Sequence, residues 1–163
     1  EILDVSKRLK PQNITREFIR NLRGKYKGQG LLKALMKEKE FEKRYNIHVR
    51  FHSNRQEFTI SSMIATGLFR IYQECLTNVA RHSNATEVES RFLIINDEIS
   101  LTVADNGKGF DSSRTSKKTL GLLGMKERAV MLGGKMEIVS EVGKGTTILI
   151  AIKQPWPQKD KIK

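Results

Sequence analysis

The segment IYQECLTNVARHS, residues 71–83, sets Glu74 and Asn78 four apart and places Arg81 seven from Glu74. At roughly 100° per residue these three side chains fall on one helical stripe. That stripe flanks an apolar one formed by Ile64, Leu68, Ile71, Cys75 and Val79. A carboxylate, a carboxamide and a guanidinium at the border of a buried face need partners, because leaving each desolvated and unpaired costs about 1–3 kcal/mol. A solvated helix edge fits the same pattern, so the stripe alone does not decide between structure and chemistry. A second cluster adds to it. Asp105 closes the strand LTVAD, where an acceptor-only side chain can receive an exocyclic amine. Gly107 and Gly109 of DNGKGF permit close backbone approach. Gly121 and Gly124 repeat this where a helix begins and offers free N–H groups to an anion. Residues 106–121 are too long and too polar for a tight hairpin, and glycines at both ends suit a lid over a charged ligand.

The elements that must position these residues follow from periodicity. GLLKALMKEKEFEKRY, residues 30–45, puts Leu31, Leu32, Leu35, Met36 and Phe41 near one helical stripe. IHVRF at 47–51 alternates as a half-buried strand does. The longest helical signal runs from Ser61 or Ser62 to His82, with serine able to cap its start. Strands over 86–95 and 98–104 meet at Asn96-Asp97, a pair suited to a tight turn. A helix over GLLGMKERAVMLGG has glycines at both ends, and strands over 135–141 and 146–153 close around GKG. Hairpin-paired strands with helices between the pairs predict an α/β fold, a two-layer sandwich whose mixed sheet is covered on one face by helices. The other face is left open to solvent or a partner.

Composition narrows the classes. With 163 residues, 38% hydrophobic and 29% charged, the chain suits one core. One cysteine excludes an intrachain disulfide and fits a reducing compartment. The net charge of +12 is unevenly spread: 15 Lys and Arg against 7 Asp and Glu in residues 1–58, 12 against 10 in 59–153, and 3 against 1 in 154–163. The basic excess therefore lies outside the central block. It reads as a solvated helical face or as a site for an acidic partner, and the absence of interleaved aromatics argues against nucleic acid.

Taken in order, ECLTNVARHS, DNGKGF, GLLGMKERA and GKGTT resemble the ATP-binding catalytic domain of sensor histidine kinases. That domain sits in the ATPase superfamily shared with gyrase, Hsp90 and MutL, and the Arg-His-Ser and GLLGMKERA wording resembles the nitrate-sensor-type subfamily. The likeness covers roughly residues 47–153 and implies a Bergerat-type ATP-binding fold. It also implies ATP and Mg²⁺ as cofactors and a role for each matching position. Asn78 would coordinate the Mg²⁺, with Arg81 and His82 near the phosphates. Asp105 would accept the adenine amine, with Thr147 beside it. Gly107 and Gly109 would open the lid; Gly121, Leu122, Leu123 and Gly124 would end it and offer backbone N–H groups to the phosphates. Glu74 would be catalytic, organising the site or a proton transfer.

SKRLKP at 6–11 resembles the end of the helical hairpin that carries the accepting histidine in such kinases, and GLLKAL at 30–35 the start of their ATPase domain. The expected organisation is a hairpin end plus basic connector over 1–28, the ATP-binding domain over 29–153 and a flexible tail over 154–163. No histidine precedes His48 and no His-Asp or His-Glu pair occurs, so the accepting histidine is expected outside this chain. The implied partners are the histidine-bearing dimerisation domain of a parent protein and a response regulator, with no nucleic acid and no membrane contact by this chain. The implied location is cytoplasmic, whether or not the parent is membrane-anchored. A stand-alone superfamily member, such as an anti-sigma-factor-like serine kinase or an ATPase, and a non-enzymatic basic binding module are the alternatives.

Overall fold

The computed structural model describes residues 38–56, 58–111 and 120–153. Among the described residues the first helix, α1 (Glu38–Tyr45), stops at Asn46, whose φ of 54° is a left-handed conformation that asparagine tolerates better than most residues. Phe41 and Tyr45 of α1 pack against the core. The expected earlier turns with Leu31, Leu32, Leu35 and Met36 lie outside the described residues.

Strand β1 (His48–Ser53) pairs in parallel with β2 (Glu87–Ile95). Parallel neighbours need a crossover, and α2 (Ser62–Asn78) supplies it. Ser61 caps α2, its hydroxyl accepting the Ile64 N–H at 3.3 Å. The α-helix ends four residues earlier than the periodicity predicts: Val79–Ser83 form a π turn, and Asn84 at φ 54° turns the chain away. β2 and β3 (Glu98–Asp105) form a hairpin through Asn96 and Asp97, both with positive φ, as a two-residue turn matched to strand twist requires. Then follow α3 (Leu120–Met131), β4 (Gly134–Glu141) and β5 (Gly145–Lys153). Among the described residues the sheet order is β1-β2-β3-β5-β4, mixed because the β1–β2 pair is parallel and the other pairs are antiparallel.

One face of this sheet is the core. Val88, Phe92, Ile99, Leu101, Ile150 and Ile152 are buried against Leu68, Ile71 and Tyr72 of α2 and Met125 and Ala129 of α3. Ser90 places a strand hydroxyl among them, donating to the Tyr72 hydroxyl at 3.3 Å. The opposite face carries polar side chains, including ion pairs of Arg50 with Glu87 and of Arg91 with Glu89. Exposed pairs of this kind add little stability. The sandwich is therefore asymmetric, and the helix-covered side is where a cavity can be walled on three sides. Among the described residues no helix is long and apolar enough to cross a membrane.

Candidate functional site

Such a cavity opens where the end of α2 meets the ends of β3 and β5. Cys75, Asn78, Val79, His82 and Ser83 line one wall, Val103, Asp105, Thr146 and Ile148 the floor, and Gly109, Phe110 and Leu122 the rim. It encloses about 660 Å³ when its open mouth is included.

Local chemistry explains why the chain folds this way. The Ser83 hydroxyl donates to the Val79 carbonyl at 2.8 Å and accepts the Ala85 N–H at 3.0 Å, closing the π turn from inside. Such turns are frequent at functional sites. The Lys108 N–H donates to the Ser83 carbonyl, and the Lys108 carbonyl accepts the Gly143 N–H, each at 2.7 Å. The DNGKGF loop is thereby pinned between the end of α2 and the β4–β5 turn. Asn106 helps to hold the fold, since its side-chain oxygen accepts the Thr86 and Glu87 N–H groups at 2.9 and 3.0 Å. Gly109 sits at φ +57°, and a Cβ there would overlap the Glu141 carbonyl. A Cβ on Gly107 would come within 2.6 Å of the Ser83 Cβ. Both glycines are thus required by the backbone path.

Asp105 is half-buried at the end of β3, its carboxylate accepting the Gly107 N–H at 2.8 Å. Burial raises its pKa; backbone N–H groups of Gly107 and Thr146 pull the other way without cancelling the effect. Cys75 is fully enclosed, with Met125 Sδ 3.7 Å from its sulfur. Burial, then the neighbouring Glu74 carboxylate, push its thiol up to about 12. That thiol is an inert part of the apolar wall.

Of the residues picked out by sequence, Asn78, His82, Asp105, Gly109 and Leu122 line the cavity together. Gly107 lies directly behind Asp105. Gly121 borders the site from α3, since a Cβ on it would lie 2.5 Å from Glu74 Oε1. Glu74 therefore faces the first turn of α3, one turn before Asn78. Arg81 is exposed and Leu123 is 53% exposed, and neither lines the cavity. A Cβ added to Gly124 would meet nothing within 4 Å. Residues 112–119, the middle of the expected lid, lie outside the described residues.

One position moves. Thr146, in register with Asp105, lines the cavity, while Thr147 pairs with Ala104 and takes the opposite face of the sheet. Side chains alternate along a strand, so Thr146 shares its face with Ile148 and Thr147 does not. The run ILIAI hides that parity because both of its faces are apolar. Sequence reasoning also missed Ser83, Phe110 and the apolar floor. Val103 was findable, lying two residues before Asp105 and so on the same face.

The donor set suits Mg²⁺ held largely by a ligand's own oxygens. No group of three or more His, Cys, Asp or Glu residues among the described ones could hold a metal. The Asn78 side chain, half-buried in the cavity wall, makes no capping bond to the π turn that follows it. Mg²⁺ keeps several waters and takes one or two protein oxygens plus phosphate oxygens, which one carboxamide beside an open cavity satisfies.

Residues 63–155 match the family described as Histidine kinase-, DNA gyrase B-, and HSP90-like ATPase. The chain belongs to that family. Among its members, the sensor histidine kinase LiaS of Bacillus subtilis (strain 168) is 39% identical over 146 residues, covering 86% of this chain and 39% of LiaS. The signal transduction histidine-protein kinase/phosphatase DegS of the same organism is 35% identical over 125 residues, covering 75% of this chain and 32% of DegS. The chain thus spans under two fifths of these family members. The fold also recurs in the histidine kinase domain of the Erythrobacter litoralis EL346 blue-light activated histidine kinase. That structure superposes with a TM-score of 0.66 at 17% identity over 84% of this chain and 70% of that one. In this family the chain corresponds to the ATP-binding catalytic domain of sensor histidine kinases.

Proposed function

We propose that this chain binds Mg·ATP in the α2–β3–β5 cavity and serves a two-component sensor histidine kinase. The parent protein would move the γ-phosphoryl group to a histidine outside this chain and then to a response-regulator aspartate. The observation that carries the reading is Asp105: a half-buried acceptor at the floor of an apolar cavity, backed by a glycine whose Cβ would collide with its surroundings. In its ionised form that carboxylate accepts the exocyclic amine of adenine, and Val103, Ile148 and Cys75 supply apolar contact to the ring.

Asn78 would hold the Mg²⁺ through its side-chain oxygen, and the ion, when bound, neutralises charge on the phosphates. His82 and Arg81, at the end of the helix, offer polar and positive groups on the phosphate side. Glu74 is given an organising part, because its carboxylate borders Gly121 in the first turn of α3. The backbone N–H groups of Gly121, Leu122, Leu123 and Gly124 lie in that same turn and suit an anion. Phosphoryl transfer asks for positioning and charge stabilisation more than covalent chemistry, and this site has the parts for both. We place the domain boundary near residue 29 and the working compartment in the cytoplasm, where ATP and response regulators meet.

Calorimetric titration with Mg·ATP tests this directly. The wild-type chain is expected to bind; Asp105→Asn should weaken binding roughly 10- to 100-fold, as loss of a hydrogen bond to a charged group does. Asn78→Ala should abolish the Mg²⁺ dependence. A folded wild-type chain that fails to bind at millimolar nucleotide would refute the reading.

A further inference from the structure

Ser140 belongs to β4 and does not line the cavity, yet its hydroxyl meets three polar atoms at the cavity's edge. The Phe110 N–H donates to it at 2.9 Å, the Gly145 carbonyl oxygen lies 3.1 Å away, and the Thr146 hydroxyl 2.8 Å away. A serine hydroxyl has one hydrogen to donate and two lone pairs to accept with. A carbonyl can only accept, so the contact with Gly145 uses the Ser140 hydrogen. The two lone pairs then receive the Phe110 N–H and the Thr146 O–H. Only that arrangement satisfies all three contacts.

Its consequence falls on Thr146, which lines the cavity in register with Asp105. With its hydrogen turned towards Ser140, the Thr146 hydroxyl can face a ligand only as an acceptor. We infer that Ser140 is a positioning residue for base selection: it orients Thr146 so that the cavity floor presents acceptors from both Asp105 and Thr146. An amino group with two hydrogens suits such a floor, whereas a base carrying an oxo group there sets a third acceptor against the other two. Rejection of the wrong base by an unsatisfiable contact is as effective as attraction of the right one. The inference rests on the nucleotide reading and deepens it.

The test compares Mg·ATP with Mg·ITP, whose base carries the oxo group, by calorimetry on the chain and its variants. Ser140→Ala frees the Thr146 hydrogen to donate into the cavity and is expected to lower the ATP-over-ITP preference roughly fivefold to tenfold, about one neutral hydrogen bond. Ser140→Cys keeps the volume while weakening the bonds, so it should behave alike even if alanine loosens the strand. Ser140→Thr keeps the hydroxyl and should restore the wild-type preference. In a Thr146→Val background Ser140→Ala should change the preference no further. A merely structural serine would alter stability and leave base preference untouched. An unchanged preference in both Ser140→Ala and Ser140→Cys, or an effect that persists without the Thr146 hydroxyl, overturns the inference while nucleotide binding stands. A wild-type chain that binds neither nucleotide overturns the nucleotide reading, and this inference with it.

Discussion

Asp105 shows how one side chain can be costly to the fold and useful to a ligand. Burial holds its folded-state pKa above the ordinary value of 3.8, so the folded protein keeps this proton more tightly than the unfolded chain does. The sign follows: the stability this group contributes is complete below 3.8 and is lost as the pH rises through the raised folded value. Asp105→Asn removes that dependence while its amide oxygen can still accept the Gly107 N–H. Wild type should therefore lose stability relative to Asp105→Asn as the pH climbs from below 3.8 towards neutrality, measured by urea unfolding in the absence of nucleotide. A difference that stays constant over the same range would contradict the burial argument. Cys75 obeys the same physics with a different outcome, since a thiol pushed up to about 12 remains uncharged and packs as a small apolar group.

At the level of elements, the site is assembled by terminations. α2 ends in a π turn closed by Ser83, β3 ends at Asp105, and the β4–β5 turn reaches back through Gly143 to bond Lys108. The ends of α2 and β3 present their last residues to the same cavity, the β4–β5 turn braces the loop beside it, and Gly109 lets the loop pass between them. Replacing Gly109 by alanine should destabilise the fold by roughly 1–3 kcal/mol, the usual cost of a strained backbone position; the overlap of the new Cβ with the Glu141 carbonyl adds to it. Gly124 is the contrasting case. It lies within α3 with nothing within 4 Å of a Cβ, so Gly124→Ala should gain roughly 0.5–1 kcal/mol from helix propensity. Denaturation midpoints of the two variants should move in opposite directions, and a shared direction would show that one of these backbone assignments is wrong.

For the molecule as a whole, stability and site share one layer. The helix-covered face of the sheet holds the core at its centre and the cavity at one end, with Val103 and Ile148 belonging to both. Phe92, fully buried on β2 and in ring contact with Phe58 at 5.0 Å, sits away from the cavity lining. Phe92→Ala should cost about 3–5 kcal/mol of stability. At a temperature where the variant is still folded, it should bind nucleotide with near wild-type affinity. Thermal unfolding and calorimetry on the same sample check both halves; a large loss of affinity in folded protein would mean that the core and the cavity are coupled.

The sequence by itself determined the elements and most of the cavity wall. Helical spacing put Asn78 on a stripe flanking the one that holds Cys75, the family resemblance singled out His82, and the strand ending in LTVAD put Asp105 at the limit of the sheet, because local periodicity repeats faithfully within one element. The glycines of DNGKGF were legible for a related reason: only a backbone obstruction makes that pattern worthwhile, and Ser83, Asp105 and Glu141 supply it. Register was decided by the tertiary structure alone. Whether Thr146 or Thr147 faces Asp105 depends on how β5 slides against β3, and a strand apolar on both faces does not encode that parity. The structural use of Asn106 and the bond from Phe110 to Ser140 were hidden for the same reason. Each joins atoms from elements far apart in the chain, and such pairings exist only once the sheet has closed.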